Sequence, residues 1–184
     1  MRNVILYMSM SLDGFVGSDR EHPGGAIPEG AELKKWKLDR ISKAGAHLMG
    51  RVTYQEMSSF WPQSDDPYAA PMNTIPKVVF SKTLSDDEAT WPETRVARGD
   101  LATEVADIKA EPGSDVIVWG GSTLAGALAA ADLIDEYRLL VQPLVLGRGN
   151  ALFDQLPEAR HLELVESTSF PSGVVVQIYR PQRG

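Results

Sequence analysis

The sequence predicts an α/β protein in which helices cover both faces of a mainly parallel sheet. Up to Ala131, short apolar and β-branched runs alternate with segments of helical periodicity, which is typical of parallel strands connected by helices. Beyond Ala131 strand-like runs dominate, and this change favours antiparallel strands added at one edge of the sheet.

The strand-like segments are rich in valine, isoleucine and leucine, and glycine, proline or polar residues bound them. They are residues 4–10, 46–49, 77–80, 94–97, 116–119, 136–141, 162–167 and 174–179. The last three form the strand-rich part of the chain, and we expect them to supply the antiparallel edge.

The first helix is predicted to follow the Gly- and Pro-rich loop that ends near Gly30. Leu33, Trp36 and Ile41 recur near helical spacing there, and lysine and arginine residues are interleaved with them. These three apolar side chains therefore predict one buried helix face.

Three shorter helices and one loop complete the prediction. A helix is expected between residues 50 and 62, where a proline ends it, and an alanine-rich helix is expected over residues 124–131. Asp100 is a good N-cap residue, so it predicts a helix over residues 101–108. The polar, proline-rich residues 63–76 are expected to form a loop.

Composition narrows the class of protein. The chain has 184 residues, of which 43% are hydrophobic and 23% charged, and we find no repeat or linker, so one domain over residues 1–184 is expected. The absence of cysteine excludes disulfides and thiolate catalysis. The net charge of −7 argues against a nucleic-acid partner. Without an export signal or a long apolar stretch, we expect a cytoplasmic protein with no membrane partner.

The three histidines do not predict a metal site. His22, His47 and His161 are not paired at a spacing that suits metal ligands, so we expect no bound metal. His47 falls inside a strand-like segment, which favours a packed side chain over a catalytic one.

Two glycines after the strand at 116–119 form the first candidate binding segment. Ligands of open α/β sheets bind beyond the carboxyl ends of the strands. Gly120 and Gly121 would let the backbone approach a ligand closely, and Ser122 and Thr123 open a helix whose free N–H groups suit a phosphate. The same residues also fit a tight turn with a capped helix.

Two further strand ends carry cations. Gly50, Arg51 and Thr53 follow the strand at 46–49, and an arginine at a helix start is unfavourable unless an anion is bound nearby. Ser81 and Lys82 follow the strand at 77–80 and offer a second cation and a hydroxyl. The alternatives are an Arg51 side chain that reaches outward to a surface carboxylate, and a Lys82 that is one of the many lysines found after strands.

Asp13 lies just beyond the end of the first strand, at the edge where the glycine pair is expected. This position makes Asp13 a candidate proton donor that faces a ligand. An aspartate that forms a turn with Gly14 is the alternative.

Common nucleotide-binding and nucleophile motifs are incomplete. Gly147 and Gly149 resemble the first half of a dinucleotide fingerprint, but the third glycine is missing, so a turn between strands is expected. Leu124 replaces the last glycine of a serine-nucleophile elbow.

Five segments carry further information when they are taken in order, and they are residues 11–15, 48–54, 77–84, 118–122 and 143–147. Together they resemble the dihydrofolate-reductase-like proteins. Within that superfamily, they look most like the stand-alone proteins similar to the reductase domain of the bifunctional riboflavin-biosynthesis deaminase/reductase.

The resemblance implies a three-layer α/β fold with a mixed central sheet of about eight strands. It also implies NADPH as the cofactor. Arg51 with Ser81 and Lys82 would hold the 2′-phosphate, while Thr53 and residues 120–123 would hold the diphosphate. The nicotinamide would lie against the ends of the first and fifth predicted strands.

The implied activity is hydride transfer to a small pyrimidine-like, pterin-like or carbonyl substrate, similar to 5-amino-6-(5-phosphoribosylamino)uracil reductase in riboflavin biosynthesis. A non-catalytic nucleotide-binding module and a true dihydrofolate reductase are the alternatives. The acidic residue of dihydrofolate reductases falls near Leu33 here, with Glu32 adjacent, and no carboxylate clearly replaces it. We also expect a homodimer, because the strand-rich segment offers an open edge.

Overall fold

The computed structural model describes residues 1–17, Pro23 and 27–182, and the sheet has eight strands within these ranges. His22 and most of the Gly- and Pro-rich loop lie outside the described residues. The strands are β1 Val4–Ser11, β2 Ala46–Gly50, β3 Lys77–Phe80, β4 Thr94–Ala97, β5 Val116–Trp119, β6 Glu136–Gln142, β7 Leu162–Ser169 and β8 Val175–Pro181. All the predicted strands are confirmed, with ends that differ by at most a few residues.

The strand order is β4-β3-β2-β5-β1-β6-β8-β7. The strands from β4 to β6 in this order are parallel, and β8 is antiparallel to both of its neighbours. The prediction that residues 136–141 belong to the antiparallel edge is confirmed for one neighbour only, because β6 pairs antiparallel with β8 but parallel with β1. The helix between β5 and β6 returns the chain to the other end of the sheet, so β6 starts on the same side as β5.

Helices occupy both faces of the sheet. They are α1 Gly30–Ile41, α2 Arg51–Phe60, α3 Ala69–Thr74, α4 Leu101–Ala110 and α5 Ser122–Ala130, and a short 3₁₀ turn, Trp61–Gln63, extends α2. Asp100 caps α4 as predicted, since its carboxylate accepts a hydrogen bond of 3.0 Å from the backbone N–H of Thr103. No helix in the described ranges is long and apolar enough to cross a membrane.

Helix α3 lies in the segment that was expected to be a loop, so that prediction is wrong. Its proline, Pro71, stands in the first turn, where a missing N–H costs no helical hydrogen bond. Ala69 and Met72 bury the inner side of this short helix against the core. Packing therefore stabilises a helix that the polar and proline-rich composition concealed.

Two apolar clusters lie on opposite faces of the sheet, because side chains of a strand alternate between its faces. Leu6 and Met8 of β1 pack with α4 and α5, whereas Tyr7 packs with α1, α2 and α3. The ends of β1 and β5 therefore present side chains to two separate layers.

His47 is a packed residue of β2, as predicted. Its ring is fully buried, and its Nδ1 accepts a hydrogen bond of 2.9 Å from the indole Nε1–H of Trp119. Its Nε2 lies 3.4 Å from the carbonyl oxygen of Pro71. Burial lowers the pKa of His47 to about 4, so the ring is neutral at pH 7.

Candidate functional site

The three predicted binding segments lie at one edge of the sheet. The register pairs Gly50 of β2 with Phe80 of β3, and β2 also pairs with β5. Arg51, at the start of α2, therefore lies at the same edge as Ser81 and Gly120, which follow the carboxyl ends of two neighbouring strands. Adjacent strands are separated by about 4.8 Å, so the three segments span roughly 10 Å, which one dinucleotide can bridge.

Residues 120–123, here named the glycine turn, form a tightly fitted backbone segment. Gly121 has a φ of +105°, a conformation that favours glycine. A Cβ atom at Gly120 would lie 3.0 Å from Sδ of Met8, and one at Gly121 would lie 3.1 Å from Oγ1 of Thr53. The Thr53 hydroxyl donates a hydrogen bond of 2.6 Å to the carbonyl oxygen of Gly120 and holds the turn in place.

Helix α5 begins directly after Gly121. Because Gly121 is its N-cap residue, no side chain caps the first N–H groups of the helix. Ser122 and Thr123 border the adjacent cleft. Free N–H groups, two hydroxyls and the positive end of the helix dipole together suit the phosphates of a nucleotide.

A cleft of about 650 Å³ opens beside the glycine turn and has two halves. The glycine half contains Met8, Val16 and the glycine turn, and it continues the apolar cluster under α4 and α5. The helix half lies on the other face of the sheet, against α1 and α2. Tyr7, Lys37, Met57 and Trp119 line it, and the exposed side chain of Glu56 on α2 borders the cleft beside them.

The helix half contains charged residues that the sequence reasoning missed. Nζ of Lys37 lies 2.7 Å from Oε2 of Glu29, and the hydroxyl of Tyr68 donates a 3.0 Å hydrogen bond to the other oxygen of Glu29. The carboxylate of Glu56 makes no hydrogen bond or ion pair with any described residue. Glu56 follows Thr53 by three positions, which places both side chains on one face of α2. This spacing was the feature of the sequence that could have identified Glu56 as a residue of the site.

The predicted cations lie beside the cleft and do not line it. The side chains of Arg51 and Lys82 are exposed, and neither forms an ion pair within residues 1–17 and 27–182. Ser81 uses its hydroxyl to accept the N–H groups of Thr83 and Leu84, at 3.2 and 2.9 Å. Gly50 is the N-cap residue of α2. Contact of these residues with a 2′-phosphate stays a prediction.

Asp13 has a structural role in this arrangement. Its carboxylate accepts hydrogen bonds of 3.1 and 2.7 Å from the backbone N–H groups of Leu146 and Gly147. The hydrogen bond with Ser11, followed by these two amides, lowers the pKa of Asp13 below its usual value. An ionised carboxylate that anchors a loop is poorly suited to donate a proton, and the contact with residues 146 and 147 differs from the turn with Gly14 that was the alternative.

Comparison with known proteins extends these observations. A model of the RibD C-terminal domain family matches residues 2–176. The uncharacterized protein YyaP of Bacillus subtilis is 28% identical over 185 residues, which cover 97% of this chain and 94% of that protein.

Solved structures share the fold. A putative riboflavin biosynthesis protein from Shewanella sp. PV-4 has a TM-score of 0.81 at 22% identity, with 100% of both chains covered. A diaminohydroxyphosphoribosylaminopyrimidine deaminase/5-amino-6-(5-phosphoribosylamino)uracil reductase from Thermotoga maritima has a TM-score of 0.70 at 16% identity, over 98% of this chain and 56% of that one. The predicted dihydrofolate-reductase-like fold is confirmed.

Proposed function

The chain belongs to the RibD C-terminal domain family, and from this membership and the geometry of the cleft we propose that it is an NADPH-dependent reductase. The observation that carries the proposal is the glycine turn, where an uncapped helix N-terminus borders a cleft of about 650 Å³. A small heterocycle of the aminopyrimidine or pterin type, or a carbonyl compound, is the proposed substrate class.

The described residues fit a phosphorylated dinucleotide. The glycine turn and Thr53 would hold the diphosphate, since the first N–H groups of α5 have no side-chain cap and the turn borders the cleft. Arg51 and Lys82 would hold the 2′-phosphate, because both are exposed cations one or two residues beyond the ends of β2 and β3.

The cofactor supplies a hydride when it is bound, and the chain supplies position and surroundings. Met8 and Val16 make the glycine half apolar, which limits water beside the reacting atoms. Tyr7 and Trp119, paired across β1 and β5, form the floor on which the substrate lies beside the nicotinamide.

Cofactor binding and turnover test the proposal separately. NADPH at a hundredfold excess over its dissociation constant should stabilise the protein by about 2.7 kcal/mol, measured by thermal unfolding. NADPH oxidation is then followed with pterins, carbonyl compounds and aminopyrimidines, including 5-amino-6-(5-phosphoribosylamino)uracil. Binding without oxidation of any panel member would favour the non-catalytic module, and no stabilisation by NADPH would contradict the proposal.

Arg51→Ala should weaken NADPH binding about tenfold to a hundredfold, because hydrogen bonds to a charged group contribute roughly 1.5–3 kcal/mol. NADH lacks the 2′-phosphate, so its affinity should change little. Titration of both cofactors checks this, and Lys35→Ala, which removes an exposed cation of α1, is the control that should change neither. Equal weakening of NADPH and NADH would show that Arg51 does not read the 2′-phosphate.

A further inference from the structure

We propose that the helix half of the cleft selects a flat, non-phosphorylated substrate that carries an N–H or amino group, and that Glu56 sets this selectivity. The inference rests on the proposed function, because it assigns to the substrate the half of the cleft that faces away from the glycine turn. It concerns which charges of a substrate the residues of that half accept.

The positive charge of the helix half is already neutralised. Lys37 is its cation among the described residues, and its ammonium lies 2.7 Å from Glu29, with both side chains largely covered at 19% and 26% exposure. Tyr68 holds the other oxygen of Glu29, so the pair is fixed from two sides. A phosphate would have to compete with Glu29 for Lys37 and would meet the charge of Glu29 as it did so.

The negative charge of the helix half is available to a ligand. Glu56 borders the cleft, and its carboxylate has no partner in the described part of the chain. A carboxylate accepts hydrogen bonds from N–H groups and repels a phosphate, which also carries negative charge. Glu56 therefore favours a substrate that places an amino or N–H group beside its carboxylate. It disfavours a substrate that places a phosphate there.

The uncharged surface of the helix half suits a planar ring. The aromatic rings of Tyr7 and Trp119 are 5.2 Å apart between centroids, and Met57 packs into the same apolar cluster. Aromatic faces and a thioether bind flat heterocycles through stacking and dispersion. A nitrogen heterocycle can contact this surface and Glu56 together.

Two cations of the described residues that could attract a phosphate lie elsewhere at the same edge. Arg51 and Lys82 follow β2 and β3, beside the cleft and outside its lining. The chain thus separates two kinds of ligand group, with phosphates of the cofactor on one side and an uncharged or amine-bearing ring on the other.

A matched pair of substrates tests the inference. The first compound is 5-amino-6-(5-phosphoribosylamino)uracil, which is named for the Thermotoga maritima protein, and the second is its dephosphorylated form. With saturating NADPH, we expect kcat/KM to be at least about tenfold higher for the dephosphorylated compound. Calorimetric titration of both compounds in the presence of NADP⁺ gives the same comparison without turnover.

Charge reversal at Glu56 provides the sharper readout. Glu56→Lys should shift the ratio of the two kcat/KM values, or of the two binding constants, at least about tenfold toward the phosphorylated compound. Glu56→Gln should shift the ratio in the same direction and less far. Asp107→Lys makes the same charge change on the exposed side of α4, behind the other face of the sheet, and should leave the ratio unchanged.

The outcomes separate the two proposals. If NADPH fails to bind, the reductase assignment fails, whatever the substrates do. If NADPH binds and the wild-type protein prefers the phosphorylated compound, binds both equally or binds neither, the selectivity inference is overturned while the cofactor assignment stands. An unchanged ratio in Glu56→Lys, with cofactor affinity retained, would remove Glu56 from the role.

Discussion

Gly121→Ala should weaken NADPH binding roughly tenfold to a hundredfold and lower the free energy of unfolding by about 1–3 kcal/mol. Two effects combine at this residue. Its φ of +105° is a conformation that a side chain disfavours, and the added Cβ would lie 3.1 Å from the Thr53 hydroxyl that holds the turn. Relief of the strain would move the backbone N–H groups that we assign to the diphosphate.

Gly30→Ala is the matched control for that variant. Gly30 also has a positive φ, at +70°, but a Cβ there meets no atom within 4 Å. Its substitution should destabilise the protein through backbone strain and leave NADPH binding intact. Urea unfolding and NADPH titration of both variants provide the comparison, and equal loss of affinity in the two would show that the glycine turn has no special role.

Acid should destabilise the protein through His47. The folded-state pKa of about 4 lies below the ordinary value of 6.5, so between these values the unfolded chain binds a proton that the folded protein does not. Stability from this residue is therefore complete above pH 6.5 and is lost as the pH falls toward 4. The loss between pH 7 and pH 4.5 should be about 2 kcal/mol.

His47→Asn isolates this contribution. Asparagine does not titrate, and its side-chain oxygen can accept the indole N–H of Trp119 that His47 now accepts at 2.9 Å. Urea unfolding at several pH values measures this difference. Between pH 7 and pH 4.5, the free energy of unfolding of the variant should fall by about 2 kcal/mol less than that of the wild-type protein. Carboxylates with a lowered pKa contribute the same acid destabilisation to the wild-type protein and to His47→Asn. Identical pH profiles of the two proteins would therefore show that His47 does not contribute to the acid loss.

The sequence was informative wherever local patterns decide the structure. Valine-rich runs such as residues 116–119 became strands at the expected positions, and Asp100 caps a helix because its side chain meets a nearby N–H. The parallel pairing of β6 with β1 was missed, since strand direction depends on the connection and not on the strand's own residues. Helix α3 was missed because tertiary burial of Met72 outweighs the local composition.

The site was predictable only in part, for a related reason. The glycine turn and Arg51 follow strand ends, and parallel strands bring their carboxyl ends to one edge. Lys37 and Glu56 come from the sides of two helices, so their presence in one cleft depends on how α1 and α2 pack on the same face of the sheet. Asp13 was correctly placed near the edge, but its partners, the amides of Leu146 and Gly147, are distant in sequence.

The position of β8 in the sheet has a consequence for protein synthesis. This strand, residues 175–181, lies between β6 and β7, and β7 pairs with no strand except β8 in the described sheet. A nascent chain on the ribosome that lacks these residues exposes the edge of β6 and leaves β7 without a neighbour. Its completed parallel strands would offer an aggregation-prone edge until β8 emerges from the exit tunnel.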